Sequence, residues 1–135
     1  MDSQARSALI EAARAARTNA YAPYSVYEVG AAALASDGRV FGGCNVENAS
    51  YGLTVCAERN AVFHMVAAGA RRLVAVAVAT RDGAAPCGAC LQVMQEFATG
   101  EVVVLLAGED GSVEETSLAA LLPRGFGLER EESDV

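Results

Sequence analysis

Between Ser3 and about Asn19, Leu9, Ile10, Ala13, Ala16 and Ala20 recur near helical spacing, with Arg6, Glu11, Arg14 and Arg17 at the remaining positions. That pattern predicts an amphipathic helix with one face laid on a core. Ala22-Pro23-Tyr24-Ser25 ends it with turn chemistry. Two strand-like stretches follow, about Val26 to Ala35 and Arg39 to Val46, and the Asp37-Gly38 pair between them predicts a hairpin. A polar loop, Glu47 to Tyr51, leads into a second helical pattern from about Val55 to Ala68, where Gly69 is placed to end the helix as a left-handed cap.

Leu73 to Thr80 is almost continuously apolar and rich in valine, which predicts a strand covered on both faces, in the middle of a sheet. Pro86 precedes a third helix, about Gly88 to Ala98. A strand from Glu101 to Leu106, an Asp110-Gly111 turn, a short strand and a short helix from Ser117 to Leu122 close the pattern. After the first helix the order is β-β-α-β-α-β, which predicts an α/β fold with a mixed sheet and helices on its faces.

With 135 residues, the chain suits one domain that buries about two thirds of its unfolded surface. Its expected bounds are 1 to 128, followed by an acidic tail from Glu129 to Val135 that reads as solvated and disordered. The longest wholly apolar run, Leu73 to Ala79, falls far short of the roughly 20 residues that span a bilayer. The first residues show neither a basic n-region nor a cleavage site, so a soluble, cytoplasmic protein without a membrane partner is expected.

The net charge is -7 and every basic residue is an arginine, only Arg71 and Arg72 being adjacent. Such a surface offers no footprint for nucleic acid. Three of the 4 cysteines lie in two short clusters without secretory context, which favours metal ligation over disulfides.

Those clusters are Cys56-Ala57-Glu58 and Pro86-Cys87-Gly88-Ala89-Cys90, each at the start of a predicted helix. Free N–H groups and the positive end of the helix dipole lower a thiol pKa there and favour the thiolate that zinc takes. Cys56, Cys87 and Cys90 as three protein ligands leave a fourth tetrahedral position for water, the arrangement of a catalytic zinc. Glu58 sits roughly 200° around a helix from Cys56, badly placed to coordinate and better placed as a proton carrier. Arg59, three residues from Cys56, is within reach of the sulfurs and would offset the charge of three thiolates on one zinc. A C-x-x-C pair alone is weak evidence; C-x-E joined to a distant P-C-x-x-C is the known signature of zinc deaminases, with the glutamate outside the coordination sphere.

The sequence resembles the small cytidine deaminases of pyrimidine nucleoside salvage. The likeness extends beyond the zinc motifs to Tyr21-Ala22-Pro23-Tyr24-Ser25, Val29-Gly30-Ala31-Ala32, Gly43 through Tyr51 and Leu121-Leu122-Pro123, and covers nearly the whole chain up to Phe126. It implies a three-layer α/β/α sandwich with a mixed five-stranded sheet, one zinc ion per subunit, and a homotetramer whose active sites are completed by neighbouring chains. By the same resemblance Asn45 and Glu47 grip the ribose 3'-hydroxyl, and Ala57 contacts the substrate. Tyr27 takes the place of a phenylalanine against the base or sugar, and Phe126 is lent to a neighbour's pocket. The chain departs from the family at Leu91, where P-C-x-x-C usually continues with arginine, so one charge near the metal or subunit interface is missing.

The chemistry implied is hydrolytic deamination of cytidine and deoxycytidine to uridine and deoxyuridine. Zinc-bound hydroxide attacks C4 while Glu58 shuttles protons, and no organic cofactor takes part. Two alternatives stand beside it: a related aminohydrolase acting on another aminopyrimidine nucleoside, and a non-catalytic zinc-stabilised binding module. The second alternative needs a fourth protein ligand, for which Cys44 is the remaining cysteine. In a predicted strand Cys44 reads as an ordinary small buried thiol, and His64, the single histidine, as a helix-surface or packed residue.

Overall fold

The computed structural model describes residues 1–129; the expected acidic tail beyond Glu129 lies outside them. Helix α1 (Ser3–Arg17) is capped by Asp2, whose carboxylate accepts from Ala5 N at 2.7 Å, and Arg14 and Arg17 lie in its last turn, where they favour the dipole. Strands β1 (Gly30–Ala35) and β2 (Val40–Cys44) form the hairpin, with Gly38 at φ 94° in the turn. Helix α2 (Ala57–Ala67), strand β3 (Leu73–Ala79), helix α3 (Gly88–Phe97), strands β4 (Ala98–Ala107) and β5 (Val113–Ser117) and the single turn α4 (Leu118–Leu121) follow in that order.

The five strands form one sheet in the order β2-β1-β3-β4-β5. Only β3 and β4 run parallel, joined through α3; the other neighbours are antiparallel, so the sheet is mixed as expected and β3 is its centre. Period-2 alternation divides the buried side chains between two cores. Ala31, Ala33, Val76, Val78, Val104 and Leu106 face α2 and α3, whereas Ala32, Ala75, Ala77, Leu105 and Ala107 face Leu9, Ile10 and Ala13 of α1. Two helical layers therefore enclose the sheet, and its near-continuous apolar strands are the consequence of burial on both faces.

Three boundaries differ from the sequence reading. The strand expected from Val26 begins at Gly30, because Val26 itself adopts φ 58° and cannot continue an extended run. The next strand ends at Cys44 and not Val46, which instead makes isolated bridges to Tyr21 and Val55. Strand β4 starts at Ala98, directly at the end of α3: Ala98, assigned to the helix end, pairs with Leu73, and pairing resumes at Val103 after a shift of register.

Helix α2 lies on the hairpin with no space between backbones at Gly43. A Cβ built there would meet Ala61 N at 2.3 Å and Ala57 O at 2.8 Å. Glycine is thus required to seat the first turns of α2 against β2. Asn60 reinforces the seat by donating from Nδ2 to Cys44 O at 2.8 Å.

Candidate metal centre and substrate pocket

Cys56 and Cys87 occupy the N-cap positions of α2 and α3, both in extended conformation, and Cys90 lies one turn into α3. The two helix starts converge beyond the carboxyl end of β3, the side of an open α/β sheet where ligands bind. Cys56 Sγ lies 3.9 Å from Cys87 Sγ, Cys87 Sγ lies 3.3 Å from Cys90 Sγ, and all three sulfurs fall within 4.8 Å of one another. Tetrahedral zinc with Zn–S bonds near 2.3 Å sets its sulfurs about 3.8 Å apart, so the cluster has the dimensions and the donor chemistry for that ion. Cys44 lies outside the cluster, and no other group of histidine, cysteine or carboxylate ligands forms among the described residues. His64 is exposed, with Nδ1 3.0 Å from Gly42 O and its ring edge on Phe41.

The thiols share too little space to ionise together. Hydrogen bonding from Cys90, then from Arg59 and Cys87, draws the Cys56 thiol down to about 5, while Cys90, the partner that keeps its proton, is pushed up. A divalent cation would remove that competition by taking the place of the shared protons. Arg59 Nη2 donates to Cys56 Sγ at 3.5 Å, which is the contact its spacing suggested. Leu91 packs into the α2–α3 core at 6% exposure, so the missing arginine is replaced there by apolar packing.

Glu58 is 5% exposed and lines a cavity of about 290 Å³ together with Cys56, Cys87 and Ala57. Burial pushes its carboxyl up to about 7, the Cys56 thiolate adds to the rise, and Arg59 opposes it. A carboxyl poised there can both accept and release a proton near neutral pH. The cavity is near the lower limit of about 300 Å³ for small-molecule clefts, suited to one compact ligand. A second cleft between α1 and the ends of β3 and β4 holds Arg14 and Arg17, but Arg17 is paired with Glu109 at 2.8 Å and no cluster of three metal-ligating side chains forms there among the described residues.

Asn45, Glu47 and Tyr27 also line the cavity, so the structure gathers these expected contacts at one place. Each is committed to the segment that forms the rim. Asn45 Nδ2 donates to Tyr27 O at 2.8 Å and its Oδ1 accepts from Val29 N at 3.0 Å. Glu47 Oε1 accepts from Tyr24 N at 2.9 Å and Ser25 N at 3.1 Å, and Oε2 accepts from the Ser25 hydroxyl. One N–H and further lone pairs of this couple remain for a ligand. Phe126 is not brought to the cavity of its own chain. It lies 67% exposed, its backbone held from both sides by the Gln92 amide at 2.6 and 3.2 Å.

The sequence reading missed Ser25, Val29, Thr54, Val78, Thr80, Ala84 and Ala85, which complete the cavity wall. Thr80 carried a signal, being the polar end of an otherwise apolar central strand. The alanines carried none, since a small wall residue looks like any other alanine.

The family model for the cytidine and deoxycytidylate deaminase zinc-binding region matches residues 3–106. A cytidine deaminase of Sporosarcina psychrophila is 48% identical over 123 residues, 90% of each chain, and one of Mycobacterium tuberculosis is 47% identical over 116 residues, 84% of each. Among solved structures, the cytidine deaminase of Burkholderia pseudomallei is 52% identical and superposes with a TM-score of 0.85, covering 93% of this chain and 100% of that one. The Mycobacterium tuberculosis enzyme superposes with a TM-score of 0.78 at 41% identity, covering 91% and 98%. A family match over most of the chain, relatives near half identity and the three-sulfur cluster beside a buried glutamate agree, and the chain belongs to the cytidine and deoxycytidylate deaminase zinc-binding family.

Proposed function

We propose that this chain deaminates free cytidine and deoxycytidine, consuming water and releasing ammonia with uridine or deoxyuridine. The observation that carries the proposal is the buried Glu58 carboxyl on the wall of a nucleoside-sized cavity, two residues from one sulfur of a three-thiol cluster. Cys56, Cys87 and Cys90 hold zinc, which when bound supplies Lewis-acid activation of water at neutral pH.

Glu58 moves the protons. It takes one from the attacking water and delivers it to N3 of the pyrimidine, which makes C4 more electrophilic, and it then carries a second to the departing amine nitrogen. The raised carboxyl supports both directions of transfer. Arg59, donating to Cys56, offsets the charge of the thiolates. Asn45 and Glu47 receive the ribose 3'-hydroxyl with the hydrogen-bonding capacity left after they have fixed the rim, and a group shared by ribose and deoxyribose admits both nucleosides. Ala57 and Tyr27 frame the base and sugar.

A homotetramer with shared active sites is part of the proposal. Tyr24 and Tyr51 stack edge to face beside the cavity mouth, and Tyr51, Leu53 and Val26 are 76%, 66% and 69% exposed there. Apolar groups of that size around a site are the mark of an interface, and an exposed Phe126 on a clamped backbone is presented for a neighbour. Size-exclusion chromatography with light scattering should give four chains. No helix among the described residues is long and apolar enough to cross a membrane. Three unpaired thiols serving a metal suit a reducing compartment, so the proposed location is the cytoplasm.

The test is metal analysis of the purified protein, combined with ultraviolet absorbance on cytidine, deoxycytidine, cytosine and adenosine. One zinc per chain and turnover of the two cytosine nucleosides are expected. Zinc without turnover on any of them would sink the proposal and favour a purely structural metal.

A further inference from the structure

The Tyr27 ring carries a hydroxyl that the phenylalanine usual in the resembled family would lack, and that hydroxyl has a partner 55 residues away. Tyr27 Oη donates to Asp82 Oδ1 at 2.5 Å. The pair is charge-assisted, a phenol on a carboxylate. Thr80 Oγ1 donates to the same carboxylate oxygen at 3.4 Å and accepts from Gly83 N at 2.7 Å and Ala84 N at 3.1 Å. Gly83 takes φ 74°, which lets the chain fold back over the buried Thr80 side chain. Arg81 covers one face of the Tyr27 ring, its guanidinium carbon 5.3 Å from the centroid.

The turn after β3 is therefore wound around Thr80 and tied, through Asp82, to the opposite rim of the cavity. That turn contributes Ala84 and Ala85 to the cavity wall and runs through Pro86 into Cys87. The Tyr27 hydroxyl also meets the Thr80 side chain, so the rim and this turn are joined at one point by Tyr27, Asp82 and Thr80.

We propose that the Tyr27–Asp82 hydrogen bond is a strut that fixes the turn after β3 as a wall of the substrate pocket, making Asp82 a positioning residue for nucleoside binding. The inference rests on the deaminase reading for its substrate. Asp82 does not touch the metal cluster and takes no proton from the reaction; it acts through Tyr27 and the alanines beside it. The strut sets how well the cavity fits before the substrate arrives, so its loss falls on binding and not on the chemical step.

The experiment is steady-state kinetics on cytidine for Tyr27→Phe, Asp82→Ala, the double variant and Asp82→Asn, with zinc content and melting temperature read on each. Tyr27→Phe and Asp82→Ala should each raise KM about three- to ten-fold with kcat within about two-fold, the size of one net hydrogen bond. The double variant should be no worse than Tyr27→Phe alone, because the Tyr27–Asp82 interaction cannot be lost twice. Asp82→Asn keeps an accepting oxygen and should recover most of the loss. An unchanged KM in Tyr27→Phe, additive effects in the double variant, or Asp82→Asn as impaired as Asp82→Ala would overturn the strut. So would zinc loss with a falling kcat in Asp82→Ala, which would assign Asp82 to holding Cys87. Failure of the deaminase reading shows differently, as absent turnover by the unsubstituted chain itself.

Discussion

Arg59 reaches back one helical turn to Cys56, with Nη2 3.5 Å from Sγ, and is the cation in contact with the sulfur cluster. Its own charge is held more firmly by that contact, and its Nε is buried without a hydrogen-bond partner among the described residues. Leu91 supplies no second charge nearby, because it is packed in the core. In the proposed zinc site, compensation for three thiolates would rest on Arg59 and the two helix starts. Arg59→Gln should weaken zinc binding about 10- to 100-fold, measured by competition with a chromophoric chelator. Equal affinity in the variant would mean that the helix dipoles suffice.

Glu58 should separate metal binding from turnover. Its carboxyl lines the cavity beside the cluster, but the three sulfurs alone form the group of metal-ligating size. Glu58→Gln keeps the shape and removes the proposed proton carrier, so zinc should stay at one per chain while kcat falls by about 10²- to 10⁴-fold or more. The checks are metal analysis and absorbance loss on cytidine with the same preparation. Substantial turnover in that variant would remove Glu58 from the mechanism.

The sequence exposed these residues because metal chemistry tolerates few residue types and helix starts have readable signals: Cys56 and Cys87 are N-caps where the pattern had placed them. The central strand was legible for a related reason, since Leu73 to Ala79 must be apolar on both sides. What escaped was set by tertiary hydrogen bonds. Val26 to Val29 has the composition of a strand, yet Val26 turns to φ 58° and the Asn45 side chain takes Tyr27 O and Val29 N in place of a strand partner. Asp82 carried no signal of its own; its partner Tyr27 is 55 residues away in sequence, and no local pattern reports such a pair.

Gly43 tests how tightly the site depends on the seat of α2. Alanine there would put its Cβ 2.3 Å from Ala61 N, a backbone atom that cannot swing aside. The helix must lift, and it carries Cys56 and Glu58 at its start. Gly43→Ala should cost about 1 to 3 kcal/mol of stability by overpacking, read by denaturant unfolding, and should lower kcat by a larger factor than stability alone explains, because catalytic geometry tolerates little displacement. Wild-type kcat in a destabilised variant would show that the cluster re-forms independently of the seat.

Glu47 gives the fold a pH dependence at the rim. The Ser25 hydroxyl, followed by the backbone N–H groups of Ser25 and Tyr24, holds its carboxyl below the ordinary value of 4.5. A carboxyl lowered in the folded state stabilises the fold fully above its unfolded pKa, and the contribution is lost as pH falls through the lowered folded value. In an NMR titration Glu47 should therefore have its midpoint below 4.5. Ser25→Ala removes the largest cause and should move the midpoint upward. The same variant frees one Glu47 oxygen and loosens the Tyr24–Ser25 turn, so its KM for cytidine should rise while zinc content stays constant. An unmoved midpoint would mean that the backbone N–H groups alone hold the carboxylate, and an unmoved KM that the rim keeps its form without the serine.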